Sequence, residues 1–117
     1  MGPFKDGWTK SQVEEVISNN KVEELLYVPI VVGMDPPDFE WANSVCVRLA
    51  RHSDSEVHSN AILGIGHLAR VCRKISDEAL VALRHAARHP DRSVYLTAND
   101  TRGEIESMLK IKISLET

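Results

Sequence analysis

Aromatic side chains are scarce: Phe, Trp and Tyr make up 5% of the 117 residues. The core must therefore be aliphatic, and the interleaved aromatics on which single-stranded nucleic acids stack are missing. Cysteine occurs twice, as Cys46 and Cys72, with no CxxC pair. Both fall in apolar helical stretches and read as buried thiols of a reducing compartment, not as a disulfide. No apolar run reaches the ~20 residues of a membrane span. The opening Met1-Gly2-Pro3-Phe4-Lys5-Asp6 has no apolar stretch of signal-peptide length. Together these absences predict a cytoplasmic protein. A basic stripe is also missing. The net charge is −3, with eight acidic and three basic side chains in the first forty residues and nine against eleven in the rest. That balance argues against a nucleic-acid partner and leaves an acidic surface for a basic one.

Catalytic signatures are absent too. Gly64-Ile65-Gly66-His67 has the look of a phosphate loop, but its glycines fall inside a predicted helix rather than between a strand and a helix start. Each would cost about 1 kcal/mol at an ordinary helical site, so close helix–helix approach is the expected compensation. His85 and His89 stand at i, i+4 and could share a metal, yet no acidic partner lies between them and a site needs three or four ligands. No nucleophile turn or triad pattern occurs. The sequence thus predicts neither enzyme activity nor a metal or cofactor.

What is present is helical periodicity and helix caps. Ser11-Gln12-Val13-Glu14 reads as a capping box opening a first helix, with Asn19-Asn20 as a candidate interruption. Val28, Ile30, Val31 and Val32 favour a strand, but no second strand of similar strength exists to pair with it. A short, fully buried helix from about Pro29, ended by Gly33 and Asp35-Pro36-Pro37, is the expectation. Asp38 caps a helix over 39–52, Ser53-Asp54 one over 55–73, Ser76 one over 77–89 and Pro90-Asp91 one over 92–110. The 55–73 helix is apolar nearly all round, which predicts a central position. The tail Ile111-Lys112-Ile113-Ser114-Leu115 alternates apolar and polar residues but is too isolated to assign as a strand.

A shift of 37 residues superimposes Ala50-Arg51-His52-Ser53-Asp54 on Ala87-Arg88-His89-Pro90-Asp91, Val57 on Val94 and Ala61 on Ala98. Each unit is a helix, a turn holding an Asp, and a second helix. Neither hairpin buries its own apolar face, and stacking closes a shared core. The Asp-x-x-Val turn resembles the HEAT repeat, with His58 and Tyr95 where that family usually carries Arg. The resemblance covers 38–110. It implies an all-α single domain over 1–117, with a helical cap at 10–35 and repeats at 38–73 and 76–110.

A narrower resemblance lies in Leu25-Leu26-Tyr27-Val28-Pro29, Trp41-Ala42, Cys46, Arg48-Leu49-Ala50 and the run from Asn60 to Arg70. These look like a group of small bacterial HEAT-like proteins. By analogy of architecture, an immunity protein of a toxin–immunity pair, as in contact-dependent growth inhibition, is expected. Such a protein binds a cognate toxin domain, often a nuclease with a basic surface. The alternatives are a HEAT-like adaptor or assembly subunit and a nucleic-acid-binding helical repeat. Second helices line one face in such folds. At 100° per residue, Asn60, Leu63, His67 and Arg70 point one way, and Thr97, Asp100, Glu104 and Ser107 are their equivalents. This ridge reads equally as a solvated face or as the partner-binding surface of a monomer or weak dimer. The acidic Glu14, Glu15, Glu23, Glu24, Asp35, Asp38 and Glu40 are the second candidate surface for a basic partner.

Overall fold

Short polar side chains set most of the helix starts. Asp38, Asp54, Ser76 and Asp91 each accept from backbone N–H groups two or three residues on, satisfying donors that the first turn leaves open. A computed structural model, describing residues 2–115, gives α1 Lys10–Asn19, α2 Val22–Leu25, α3 Val28–Met34, α4 Phe39–Leu49, α5 Ser55–Cys72, α6 Asp77–Ala86 and α7 Arg92–Leu109. No strand occurs among the described residues; the fold is all-helical.

The first helix starts two residues earlier than Ser11 suggests. Thr9 is the cap: its hydroxyl accepts from Gln12 N (3.1 Å) while its own N–H donates to Gln12 Oε1 (2.8 Å). Thr9-x-x-Gln12 and Ser11-x-x-Glu14 are competing boxes, and tertiary contacts decide between them. Glu14 is drawn away to Arg48, at 2.8 and 3.2 Å, and to the indole N–H of Trp41 at 3.3 Å. The Arg48 guanidinium holds the Glu14 carboxyl below its usual range. Asn20 does end α1, in the left-handed conformation.

Helix α3 forms where expected, with Pro29 in its first turn. Gly33 does not end it. Gly33 lies inside the helix, against α5. Nor is α3 fully buried: Val28, Pro29, Val32 and Gly33 are covered, but Met34 is 57% exposed.

α5 is the central helix, packed on α3, α4, α6 and α7. Its two inner glycines explain how. They are two residues apart, hence about 200° apart around the axis. A Cβ on Gly64 would lie 2.8 Å from Pro29 O of α3, and one on Gly66 would lie 3.1 Å from Thr101 Cγ2 of α7. One glycine opens each flank. The smallest dimension of the molecule, 19 Å, is that of two stacked helix layers.

The 37-residue shift reappears in the caps. α5 and α7 are both 18 residues long, and both end on left-handed residues, Arg73 and Lys110. α4 and α6 stop three residues short of the expected 52 and 89. Arg51 and His52, like Arg88 and His89, instead close tight i→i+3 turns.

The tail over residues 111–115 forms no strand; 116 and 117 lie outside the described residues. Ile113 is buried, its N–H donates to Glu106 Oε2 (2.7 Å), and Ser114 O accepts from Arg84 Nε (2.9 Å). Glu106 in turn pairs with Arg102 at 2.9 Å. Glu106→Ala should free the tail at a cost of about 1 kcal/mol, read as a lower urea midpoint together with loss of protection of the Ile113 amide in hydrogen exchange.

Candidate functional site

The outer surface of α3, α5 and α7 follows from which side of each helix meets the core. On α5, Val57, Ala61, Ile65 and Leu68 are buried. Asn60, Leu63, His67 and Arg70 lie roughly opposite at 100° per residue. On α3 the buried side is Val28 and Val32, which leaves Ile30 and Met34, one turn apart, facing out. On α7 the buried side is Val94, Ala98 and Ile105, which leaves Asp100, Glu104 and Ser107 outside.

Arg70, Asp100, Glu104 and Ser107 come together, lining one shallow groove with Asn99, Gly103 and Met108. Arg70 and Glu104 approach to 3.8 Å, but both side chains are more than half exposed. That pair contributes little stability, and both charges remain available to a partner. His67 sits half-buried beside them. Burial first, then the Arg70 charge, lowers its pKa, against an opposing pull from Glu104. Leu63 is 39% exposed at the centre of the layer. Thr97 is half-buried. Asn60 serves the fold: its amide donates to Leu26 O at 2.8 Å, tying α5 to the segment before α3.

Sequence reasoning missed the α3 side of this surface. Met34 is the most exposed large hydrophobe of the layer, and Ile30 is half-buried without joining the core. Tyr27 stands on the same side, with Gly2 packed against its ring. The signal was the i, i+4 spacing of Ile30 and Met34, hidden because the whole run from Val28 to Met34 is apolar.

No family model, curated protein or solved structure matches the chain. The surface is therefore read from its own chemistry. Of the N-terminal carboxylates, Glu14 is engaged by Arg48, and Asp38 by Lys10 and the start of α4. The Lys10 ammonium, then the Trp41 N–H, hold the Asp38 carboxyl below its usual range. Glu15, Glu23, Asp35 and Glu40 are exposed and Glu24 half-buried. On the α4–α6 side, Glu40, Asn43, Ser44, Val47, Arg48, Arg51 and Glu78 line a cleft of about 390 Å³ in which both signs of charge alternate.

Cys46 and Cys72 are free; Cys46 is fully buried, and burial pushes its thiol up to about 12. Among the described residues, no three His, Cys, Asp or Glu side chains are placed to hold a metal ion. No helix among the described residues is long and apolar enough to cross a membrane. Several arginines bind the fold itself: Arg73 donates to Met108 O (3.0 Å), Arg84 to Ser114 O and Arg48 to Glu14.

Proposed function

We propose that this chain is a non-catalytic, HEAT-like module that binds a partner protein on the outer face of α3, α5 and α7. The observation that carries this reading is the exposure of Met34 and Leu63 beside half-buried Ile30, on the same layer as Arg70, Asp100 and Glu104. Apolar anchors with a charged rim are the anatomy of a protein interface. In its specific form the proposal is an immunity-type inhibitor that covers the active surface of a basic toxin domain. Asp100 and Glu104 would steer the encounter, and Leu63 and Met34 would hold the complex. That form rests on the resemblance of Leu25 to Pro29 and Asn60 to Arg70 to small bacterial HEAT-like proteins. It needs no chemistry in the chain, only a rigid complementary surface.

The test uses two variants that leave the core untouched. Partners captured from the native cell by the wild-type chain should be lost to a Met34→Asp/Leu63→Asp variant. An Asp100→Lys/Glu104→Lys variant should bind the same partner at least tenfold more weakly, mostly through a slower association rate. Circular dichroism serves as the folding control. Undiminished capture by both well-folded variants would remove this face from the interface. For the immunity form, co-expression with the C-terminal domain of a large secreted protein encoded just upstream should restore growth.

A further inference from the structure

The repeated Ala-Arg-His-x-Asp turns share one unusual hydrogen bond. His52 Nδ1 accepts from Asp54 N at 3.0 Å, and His89 Nδ1 accepts from Asp91 N at 3.0 Å. A ring nitrogen that accepts from a backbone N–H carries no proton of its own. Both rings are thereby fixed as the neutral form with its hydrogen on Nε2. In His52 that hydrogen points to Asn20 Oδ1, 2.8 Å away, and links the turn to the end of α1. The two aspartates so positioned cap α5 and α7.

A third histidine joins the second turn. His58, in the first turns of α5, is 4% exposed, and its Nε2 has no hydrogen-bond partner. Its ring packs edge to face on His89 with centroids 5.0 Å apart, and on His85 at 6.4 Å. The titratable groups acting on it are thus His89 from the turn and His85 from α6. Burial, then those two rings, lower its pKa. Asp91, the nearest carboxylate along the turn, is engaged by the Ser93 hydroxyl and N–H and by Ser55. Arg51 and Arg88 precede the two turn histidines in the chain.

We propose that the two histidine turns, with His58 and His85, form an acid-responsive latch that loosens both hairpins together. Protonation of His52 or His89 puts a donor where the turn needs an acceptor, so N–H faces N–H and the Asp cap loses its support. Protonation across the His58, His85 and His89 cluster sets like charges 5.0 to 6.4 Å apart at ring centres, one of them buried. His58 therefore binds a proton less readily in the folded state than in the unfolded chain. The share of stability that His58 contributes is full above the free histidine pKa of about 6.5 and is lost as pH falls through its lowered folded value. The latch does not depend on the partner reading.

Urea unfolding of the full chain tests it, comparing pH 7.5 with pH 5.0. One suppressed protonation amounts to tenfold in the unfolding constant per pKa unit. The wild-type constant should rise about tenfold or more. In His52→Asn/His89→Asn, the amide oxygen can take over the Nδ1 acceptor position without titrating. That variant should show a smaller rise than the wild type, and adding His58→Leu should reduce it further. Carboxylate titration is common to all three proteins and drops out of the comparison. An identical pH dependence in wild type and variants would overturn the proposal. A readout independent of folding comes from nitrogen NMR of the wild-type rings at pH 7.5. His52 and His89 should both appear as the Nε2–H tautomer, and an Nδ1–H signal from either would overturn it as well.

Discussion

Leucine at position 64 should destabilise the protein by about 3 kcal/mol or more, although it raises helix propensity. A Cβ there would meet Pro29 O at 2.8 Å, Cys46 Sγ at 2.9 Å and Pro29 Cβ at 2.9 Å. Two of those three atoms belong to a short helix start that cannot yield without separating α3 from α5. Gly33 presents the reciprocal surface, its own added Cβ falling 2.7 Å from Gly64 O. Alanine at 64 should already cost about 1–3 kcal/mol, because the clash is at the β carbon itself. The contrast is Gly103, also helical, where an added Cβ meets nothing within 4 Å. Gly103→Ala should stabilise by up to about 1 kcal/mol through backbone entropy alone. Urea denaturation of the three variants checks both signs at once. If Gly64→Leu is as stable as wild type, α3 does not lie against α5 at this point.

The second large effect separates two neighbours of nearly equal hydrophobicity. Ile62 is fully buried, whereas Leu63 is 39% exposed on the outer face. Ile62→Ala should cost about 2–5 kcal/mol, from lost transfer energy and the cavity left among core side chains. Leu63→Ala should cost within about half a kcal/mol. A domain with a total stability of about 5–15 kcal/mol would show the first change as a large fall in Tm and the second as almost none. Equal losses at the two positions would mean that Leu63 is covered in solution, for instance by a second copy of the chain. The outer face would then already be in use.

Helix starts were legible in the sequence because capping is a local affair. An Asp or Ser oxygen reaches a backbone N–H two or three residues away whatever the rest of the chain does. Asp38, Asp54, Ser76 and Asp91 therefore stand where the sequence pattern places them. The exception follows the same rule. At Thr9 and Ser11 two local solutions compete, and only the distant Arg48 and Trp41, by taking Glu14, select the earlier one. Helix ends were less legible, since the closing turns at Arg51-His52 and Arg88-His89 depend on how a ring folds back onto its own backbone.

The surface divides in the same way. Periodicity found Leu63, His67, Arg70, Asp100, Glu104 and Ser107, because one face of a long helix is set by its 3.6-residue repeat. It could not find Ile30 and Met34, because a seven-residue apolar helix has no polar side to mark which way it faces. Nor could it reveal that the Asn60 amide is held by Leu26 O, or that Glu106 holds the Ile113 N–H.

By itself, then, the sequence determined helical content, the capped starts, the 37-residue correspondence of the turns and the central rank of α5. All of these rest on interactions between residues at most a few positions apart, or on composition summed along one helix. Only the tertiary structure decided which glycine opens which flank, which of Ile62 and Leu63 is inside, which carboxylates remain free and that three histidines meet at one turn. Those outcomes depend on which helices lie alongside each other. Neighbours far apart along the chain, such as Gly64 and Pro29 or His58 and His89, have no local signal to announce them.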